Sequence, residues 1–338
     1  MDSRVRHLLR APSGRLTNLQ LFVALLATFA TGVGAVATGS SHGAWIAAAH
    51  GIAGVVVILL IPWKTRVVRA GLPLHSAGRW PSLALAALTL SALLLGLGYA
   101  TGLVRSVGGI EGLWLHIAVA LALVPPLLWH LVFRWVRPRR TDASRRVLLR
   151  AALLGVVGGG LYTVVSALPL PGTARRFTGS YELASFDPPR MPNTIWLNDT
   201  APALRAAEWR LSVGSARLSL DDLREHPETW RATLDCTSGW YAHQDWTGVP
   251  LSRLVGDIGT ARSLYVHSTT GYWVRLPVAD LDHLLLATHV GGQPLSVGHG
   301  YPLRLVAPGR RGFWWVKWVD RIELQSTPWW WQPTFPVT

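Results

Sequence analysis

Five apolar stretches constrain the fold of this 338-residue chain more than any other feature. Each approaches or exceeds the ~20 residues that a helix needs to cross a lipid bilayer. Gly, Ala, Ser and Thr are frequent in them, which favours close helix packing in lipid. Only 15% of the residues are charged, against about 25% in a typical soluble domain. The sequence therefore predicts a bundle of five transmembrane helices, at residues 16–38, 44–63, 83–102, 113–133 and 147–168.

Positive charge is concentrated around these stretches and predicts their orientation. Residues 1–150 hold 16 of the 32 Lys and Arg residues but only three of the 18 acidic ones. The loops that follow the first and third stretches hold only one Lys or Arg residue, Arg105. By the positive-inside rule, we expect the N-terminus in the cytoplasm of a bacterium, its plasma membrane crossed five times, and everything after about residue 170 outside. This charge indicates membrane lipid as a partner and excludes nucleic acid.

The sequence pattern changes at Pro169, and the residues after it predict a mixed α+β domain. Short apolar runs between Gly and Pro turns predict strands at 210–213, 232–236, 263–266, 272–276, 303–306 and 314–319. Short helices are expected at 220–225 and 279–287, and an aromatic turn into a helix after residue 240. The chain then has three parts: a four-helix membrane domain at 1–140, a fifth helix at 141–170 and an extracytoplasmic domain at 171–338.

Three histidines lie inside the predicted membrane helices, where ionisable residues are costly and usually functional. His50 and His116 would lie at similar depth near the outer ends of the second and fourth helices. Two neutral imidazoles on facing helices are suitable axial ligands for a heme iron, so we expect one heme b. His130 shares a helix face with His116, as in the membrane b-type cytochromes that the bundle resembles. It suggests a second heme, although Trp63 stands where its partner would be and His75 would have to substitute. The histidines could also bond neighbouring helices or line a quinone pocket.

A pair of arginines precedes the fifth stretch. Residues 144–150, Ser-Arg-Arg-Val-Leu-Leu-Arg, resemble a twin-arginine translocation signal, with Leu148 and Arg150 in place of the more usual Phe and Lys. Paired arginines could also simply mark a cytoplasmic helix end. Because the twin-arginine pathway exports folded domains, the signal predicts a cofactor that is inserted in the cytoplasm into residues 170–338.

The single cysteine, Cys236, excludes a disulfide within the chain. It follows a predicted strand and opens a polar loop. A thiolate is a soft ligand for a transition metal. The thiol could instead act as a nucleophile beside His243, or be an inert buried residue. The residues alone leave all three possibilities open.

Several segments resemble the sulfite oxidase family of molybdopterin enzymes. They are the Cys236 loop with Trp-Thr-Gly-Val-Pro-Leu at 246–251, His-Gly-Tyr-Pro-Leu-Arg-Leu-Val at 299–306, Gly-Phe-Trp-Trp-Val-Lys-Trp at 312–318, and the Asn-containing segments 192–194 and 197–199. The resemblance implies an α+β sulfite oxidase-type molybdopterin-binding domain with Cys236 on molybdenum. The expected pterin contacts are Asn193, Asn198, Ser268, Thr269, His299, Arg304, Gly312, Phe313, Trp314 and Lys317. An anionic phosphate binds basic side chains, which Arg310 and Arg311 would also supply.

These observations predict a membrane-bound molybdenum oxidoreductase. We expect it to transfer an oxygen atom to or from a small substrate, a sulfoxide or sulfite, and to exchange electrons through heme b with quinone or another redox partner. We expect it to lack the immunoglobulin-like domain of vertebrate and plant sulfite oxidases. It resembles more the bacterial periplasmic methionine sulfoxide reductase branch, with its heme-binding membrane subunit fused, which favours reduction. That branch has Glu two residues after its Cys, where this chain has Ser238.

Three other classes of function stay open. The first is a thiol enzyme that uses Cys236 and His243. The second is a non-catalytic membrane sensor with an anion-binding outer domain, which would need Arg304 and Lys317 but not the thiol. The third is a heme-only electron conduit, which needs no cysteine. The presence or absence of molybdenum distinguishes all three from the oxidoreductase.

Overall fold

The computed structural model describes residues 12–41, 43–71, 79–134, 136–137, 139–195 and 199–333. The chain divides into two compact units, one of residues 1–35 and 42–179 and the other of residues 36–41 and 180–338. The first unit holds the long helices, and the second holds two larger β-sheets.

Among its described residues, the first unit contains five long helices, as the apolar stretches predict. Each is long and apolar enough to cross a membrane, by length and composition. They are α1 (Gly14–Ala37), α2 (Gly43–Gly71), α3 (Arg79–Thr101), α4 (Gly112–Arg134) and α5 (Arg145–Ala167). Large apolar side chains such as Val23, Leu94 and Val132 are exposed on them, which suits lipid better than water.

The helices of the first unit pack in pairs. α3 packs against α4, and the short strands β1 (Ser106–Val107) and β2 (Ile110–Glu111) form a hairpin between them. α2 packs against α5, where Gly51 faces the ring of Tyr162. Small residues at a crossing let two helices approach closely, and this packing drives much of the helix association in lipid.

Two mixed sheets form the second unit. The strands of the larger sheet are β3 (Tyr181–Glu182), β6 (Glu228–Asp235), β7 (Trp240–Pro250), β10 (Leu285–Val290), β11 (Gln293–Pro294) and β12 (Arg304–Val306). Those of the smaller sheet are β4 (Leu211–Val213), β5 (Ala216–Leu218), β8 (Ser263–Ser268), β9 (Trp273–Pro277) and β13 (Val319–Gln325). In the larger sheet β7 pairs with β3, β6 and β10, and β10 also pairs with β11 and β12. The smaller sheet has the order β5-β4-β13-β8-β9.

The core of the second unit is apolar and contains large aromatic side chains. Trp246 and Trp315 are almost fully buried and meet edge to face, with ring centres 5.5 Å apart. Leu211 and Val266 of the smaller sheet and Leu285 of the larger one are fully buried in the same cluster. Full burial of one such aliphatic side chain stabilises a fold by about 1.5–3 kcal/mol. This shared core holds the loops at the strand ends in fixed positions.

The prediction of a helix after residue 240 was wrong, because residues Trp240–Pro250 form the long strand β7. Trp240, Ala242, Gln244 and Trp246 are buried, while the residues between them are partly exposed. A side-chain period of two is typical of a strand. The aromatic residues obscured this alternation, which the sequence does contain.

Two other predicted elements differ from the structure for related reasons. Residues Val278–His283 form only 3-10 turns, and the apolar run after them is strand β10. This strand is buried in the interior of the larger sheet, with other strands on both sides. The strand predicted at 314–319 is instead a 3-10 turn at Gly312–Trp314 and an irregular segment that leads to β13. The helix predicted at 220–225 is a single 3-10 turn at Asp222–Arg224. The remaining predicted strands lie within one to four residues of observed ones.

Candidate active site

Cys236 opens a tight turn between the two longest strands of the larger sheet. Its N–H donates to the Trp240 carbonyl at 2.9 Å, and the Gly239 N–H donates to the Cys236 carbonyl at 3.2 Å. The thiol-bearing residue is 7% exposed. The strand register pairs His243 with Thr233, and the imidazole Nδ1 lies 2.7 Å from the Thr233 hydroxyl. Nδ1 of His243 thus bonds Thr233 and not the thiol.

A buried ion pair holds this turn in place. Arg311 donates from Nη1 to Asp235 Oδ1 at 2.6 Å and from Nη2 to the Cys236 carbonyl at 3.1 Å. The Ser180 hydroxyl donates to the same carboxylate oxygen at 2.7 Å. Both charged side chains are almost fully buried. The sequence suggested that Arg311 would bind phosphate, but its guanidinium binds Asp235 and so positions the cysteine turn.

Gly312 brings a second segment against Cys236. A Cβ at Gly312 would lie 3.1 Å from the Cys236 Cα, which is closer than most real side chains approach. Asp235 and Arg311, the residues before these two, form a parallel bridge. Gly312 therefore acts through its lack of a side chain, which allows the two segments to touch.

Lys317 links three segments that are far apart in sequence. Its Nζ donates to the Gly298 carbonyl at 2.5 Å and to the Thr194 carbonyl at 2.9 Å. Burial, reinforced by the neighbouring Arg304, lowers the pKa of Lys317 to about 7. An anion bound here would stabilise the charged ammonium, because it would replace the hydration that burial removes.

Arg304 is a second cation and is almost completely buried. Its guanidinium lies beside the rings of Trp246 and Trp315, 5.0 and 5.7 Å from their centres. It donates to the carbonyls of His299 and Trp315, at 3.1 and 3.4 Å. Its buried Nε has no hydrogen-bond partner among the described residues, and burial lowers the pKa of Arg304 to about 9. Buried charge of this kind is normally paired, so the site favours an anionic ligand.

His299 is buried and neutral. Its Nε2 lies 3.0 Å from the Met191 carbonyl and its Nδ1 lies 2.8 Å from the Ser296 hydroxyl. Burial, with two cations nearby, lowers the pKa of His299 to about 4. The neutral ring therefore donates from Nε2 and accepts at Nδ1, and it holds the segment after Met191 instead of offering charge to a phosphate. Gly300 follows with φ 106°, a conformation that glycine adopts without strain, and a Cβ there would lie 3.0 Å from Arg304.

Strand β8 ends in a turn rich in hydroxyl groups. The Ser268 and Thr270 hydroxyls lie 3.1 Å apart, and Thr270 donates to Asp199 at 3.1 Å. The Thr269 N–H donates to the carbonyl of Trp318 at 3.0 Å, the residue after Lys317. The Thr269 hydroxyl is buried and has no partner among the described residues. Thr269 is therefore better placed than Ser268 to donate to a ligand.

The expected pterin contacts Phe313 and Trp314 have other described partners. Phe313 is buried and its carbonyl accepts a hydrogen bond from the Tyr272 hydroxyl. Trp314 packs against Arg310, 5.0 Å from its guanidinium, and against Trp329. Their side chains support the turn at Gly312–Trp314.

Two further predicted residues have partners of their own, and a third lies outside the described residues. Arg310, expected near a phosphate, forms an ion pair with Asp280. Asn193 is exposed, and its side chain lies against Gly298, where a Cβ would come within 2.5 Å of it. Asn198 lies outside the described residues. The sequence did not single out Asp235, Thr194 or the carbonyl of Met191, because their roles depend on neighbours more than 60 residues away.

The donor set around Cys236 fits an anionic metal cofactor. It combines the Cys236 thiol with two buried cations, Lys317 and Arg304, that lie near enough to interact with it electrostatically. The described residues contain no group of three or more His, Cys, Asp or Glu side chains that could hold a metal ion. A metal on Cys236 would therefore take its other ligands from a bound group, and the two cations would neutralise such a group if it were anionic.

In the first unit, His50 and His116 lie beside each other. Their ring centres are 5.9 Å apart and their planes are at 80°. Nδ1 of His50 lies 2.9 Å from the Thr28 carbonyl, and Nδ1 of His116 lies 2.9 Å from the Ala92 carbonyl. A ring that donates from Nδ1 and is neutral carries a free electron pair on Nε2, as a metal ligand requires.

The two histidines have equivalent surroundings. One helical turn after the Thr28 and Ala92 carbonyls, a glycine faces each ring. A Cβ on Gly32 would lie 3.1 Å from His50, and a Cβ on Gly96 would lie 3.0 Å from His116. The pair α1 and α2 thus repeats the local arrangement of the pair α3 and α4. Such a repeat is expected if both rings serve one ligand in the same way.

His130 lies in the same helix as His116 but has no histidine neighbour among the described residues. Its buried Nδ1 has no hydrogen-bond partner in that part of the chain. Trp63 packs against a small apolar cluster around Leu60. His75, the candidate partner of His130, lies outside the described residues, so a second heme stays a prediction.

This chain is similar in sequence to several known proteins. Residues 198–331 match the family described as "Oxidoreductase molybdopterin binding domain". The protein-methionine-sulfoxide reductase catalytic subunit MsrP of Xanthomonas axonopodis pv. citri is 31% identical over 160 residues, which cover 38% of this chain and 50% of that protein. Mitochondrial sulfite oxidase of Rattus norvegicus is 28% identical over 179 residues, or 40% of this chain and 33% of that protein. The putative subunit YedZ1 of a protein-methionine-sulfoxide reductase from Azospira oryzae is 27% identical over 146 residues, or 40% and 56%. The chain thus spans between a third and just over half of the length of these relatives.

Proposed function

Since this chain carries a molybdopterin-binding oxidoreductase domain of the sulfite oxidase family and resembles the MsrP branch, we propose that it is a membrane-bound molybdenum oxidoreductase in which Cys236 holds the metal. The observation that carries the proposal is the convergence of separate segments on one buried thiol. Gly312 touches the cysteine turn, and Lys317 ties in Thr194 and Gly298. A solvated surface loop would not bury two cations beside it.

Each described side chain then has a distinct task. Cys236 provides the thiolate, and the ion pair between Asp235 and Arg311 fixes the direction of the turn that presents it. Lys317 and Arg304 neutralise the negative charge of the pterin and its phosphate, and the Thr269 hydroxyl donates to the bound group. When bound, the molybdenum cofactor supplies the exchange of an oxygen atom with the substrate and the uptake or release of two electrons.

We propose reduction of a sulfoxide as the direction and substrate class. Two of the three relatives named above are, by name, a catalytic and a putative subunit of a protein-methionine-sulfoxide reductase. The third is a sulfite oxidase, so oxidation of sulfite is the alternative. Ser238 replaces the glutamate expected two residues after the cysteine, so the two chemistries are to be compared by direct assay.

We further propose one heme b between His50 and His116. His50 and His116, whose ring centres lie 5.9 Å apart, would hold its iron, and the group would carry one electron at a time. The fixed Nδ1 bonds and the free Nε2 electron pairs support the same proposal.

The membrane setting completes the proposal. The five helices are placed in the bacterial plasma membrane with a cytoplasmic N-terminus, by the distribution of Lys and Arg. The twin-arginine segment at 144–150 exports the outer domain after cofactor insertion, and quinone exchanges electrons with the heme. These assignments are supported by the sequence pattern and by the length and composition of the helices.

Metal analysis tests the proposed site at Cys236. We would purify the full chain in mild detergent, from a host that makes and exports the cofactor, and measure molybdenum and the Mo(V) electron paramagnetic resonance (EPR) signal. The wild type is expected to contain near-stoichiometric molybdenum, and Cys236→Ser is expected to show an altered signal and no sulfoxide reduction. The EPR signal decides, because the pterin can retain metal without the thiolate. A wild type without molybdenum would contradict the proposal and favour the sensor or heme-only alternatives.

Optical spectra of the same preparations test the heme. His50→Ala and His116→Ala are expected to lose the heme b spectrum, whereas His130→Ala keeps one heme. A wild-type ratio of two hemes, with one lost in His130→Ala, would establish the second site instead. A wild type without heme would remove this part of the proposal and leave the molybdenum site untouched.

A further inference from the structure

A row of hydrogen bonds ends on the sulfur of Cys236. Trp240 Nε1 donates to Thr194 Oγ1 at 3.3 Å, Thr194 Oγ1 lies 3.3 Å from Ser238 Oγ, and Ser238 Oγ donates to Cys236 Sγ at 3.1 Å. Trp240, Ser238 and Cys236 are each less than 8% exposed. Water is therefore a poor competitor for these bonds.

The two ends of this row determine the direction of every bond in it. An indole N–H can only donate, so Thr194 Oγ1 accepts from Trp240 and has its own proton left for Ser238. A sulfur bound to a metal carries no proton, so it can only accept. The single proton of Ser238 must then point at Cys236 Sγ, and all three bonds run the same way.

The backbone reinforces this arrangement. Lys317 holds the carbonyl of Thr194 at 2.9 Å, and the turn bond from Cys236 N–H to the Trp240 carbonyl fixes the indole relative to the thiol. Thr194 is thus held by its backbone on one side and by its hydroxyl on the other. A chain of bonds in one direction polarises each member, so the last bond is stronger than an isolated one.

We propose that Ser238 is a positioning residue that donates a directed hydrogen bond to the thiolate ligand and thereby raises the reduction potential of the metal bound to it. This inference rests on the proposed function, because it requires a metal on Cys236. A hydrogen bond to a ligating sulfur withdraws electron density from it, so the sulfur donates less to the metal and the reduced state becomes more stable. Hydrogen bonds to cysteine sulfurs tune metal potentials in this way in other proteins. Thr194 and Trp240 support the effect by orienting the Ser238 proton.

A redox titration of the purified full chain, followed by the Mo(V) EPR signal, measures this effect. Ser238→Ala is expected to lower the midpoint potential of the metal, because the donated bond is lost. Ser238→Thr keeps a hydroxyl and is expected to restore the wild-type potential. Thr194→Val and Trp240→Phe are expected to give smaller shifts of the same sign, in that order, since each leaves Ser238 in place but less well oriented. Thr229→Val, which removes a hydroxyl from an exposed threonine pair, is the matched control and should give no shift.

Molybdenum content of each preparation separates the two ways in which the idea can fail. A wild type without molybdenum contradicts the proposed function and, with it, the role of Ser238. Wild-type metal content in Ser238→Ala with an unchanged potential overturns the role of Ser238 alone. A raised potential in Ser238→Ala does the same, since the sign would be opposite. If Ser238→Ala does not fold, Thr194→Val and Trp240→Phe decide by the same criterion.

Discussion

The two units of the molecule bring their functional side chains together in opposite ways. In the helical unit, one local arrangement of a carbonyl, a glycine and a facing histidine occurs twice, once for His50 and once for His116. In the β-rich unit, the described surroundings of Cys236 show no such repeat and combine separate segments between residues 180 and 317. The bond from Lys317 to Thr194 alone joins positions 123 residues apart.

This difference has a physical consequence. A helix pair places its side chains by length and period alone, so each half of the histidine site depends on few long-range contacts. The Cys236 site exists only when several long loops have closed, and loop closure costs conformational entropy. The buried core and the internal ion pair of the β-rich unit must offset that cost. We therefore expect mutations far from Cys236 in sequence to affect its site more than remote mutations affect the histidines.

Removal of the internal ion pair should break the Cys236 site most strongly. Arg311→Met leaves Asp235 buried without its cation, and loss of one partner of a buried pair costs about 3–5 kcal/mol. Proteolysis of the β-rich unit in the full chain, as a function of denaturant, measures the loss. Arg310→Met is the control: it removes a neighbouring but more accessible ion pair with Asp280 and should cost about 0–1 kcal/mol.

The double variant Arg311→Met with Asp235→Leu sharpens this test. It removes both charges, so a large part of the stability lost in Arg311→Met is expected to return. Equal instability of the single and double variants would show that shape, and not buried charge, holds the cysteine turn.

Acid should weaken the β-rich unit through His299. The pKa of His299 is about 4 in the folded chain against 6.5 ordinarily, so the unfolded chain binds a proton first as the pH falls. The stabilisation is complete above pH 6.5 and is lost progressively between pH 6.5 and 4, with an upper limit of about 3 kcal/mol. Hydrogen exchange of the β-rich unit at several pH values measures it. His299→Gln should flatten the pH dependence in this window, and an unchanged slope would contradict the neutral, buried assignment.

The smallest expected effect tests the repeat in the helical unit. Gly32→Leu and Gly96→Leu place a side chain against His50 and His116, and each should weaken heme retention by about tenfold or more, as loss of ligand orientation commonly does. Gly54→Leu in α2 is the matched control, because nothing lies within 4 Å of a Cβ there. Heme spectra after detergent washing compare the three. Loss from only one of the two variants would mean that the histidine surroundings are not equivalent.

The sequence predicted more of the helical unit than of the β-rich unit. The five helices and the meeting of His50 with His116 followed from length, period and depth, which are local properties. Cys236, Lys317 and Arg304 were identified through resemblance, and the structure brings them together. The sequence did not predict that Arg311 pairs with Asp235, that His299 is neutral and internally bonded, or that Ser238 lies between Thr194 and Cys236. Each of these depends on a neighbour supplied by folding.

The failure to predict β7 shows the same limit on a smaller scale. The buried positions Trp240, Ala242 and Gln244 alternate with partly exposed ones, but they mix aromatic, small and polar residues. Gln244 is buried because its side chain bonds the Ala184 carbonyl, a partner that composition does not reveal. Hydrophobicity alone therefore conceals a strand whose inner face is partly polar.

One measurement tests most directly whether a single chain connects both sites. The purified full chain, with its molybdenum and heme contents determined, would be reduced with a small excess of reductant and then mixed with methionine sulfoxide while the heme spectrum is followed. Wild-type heme is expected to be reoxidised at a rate that depends on the sulfoxide concentration. Heme in Cys236→Ser is expected to stay reduced. Two results would contradict the claim that electrons pass between the heme and a metal on Cys236. One is reoxidation of the heme at the same rate in Cys236→Ser. The other is a wild type, fully loaded with both cofactors, whose heme stays reduced with sulfoxide and with other small oxo acceptors.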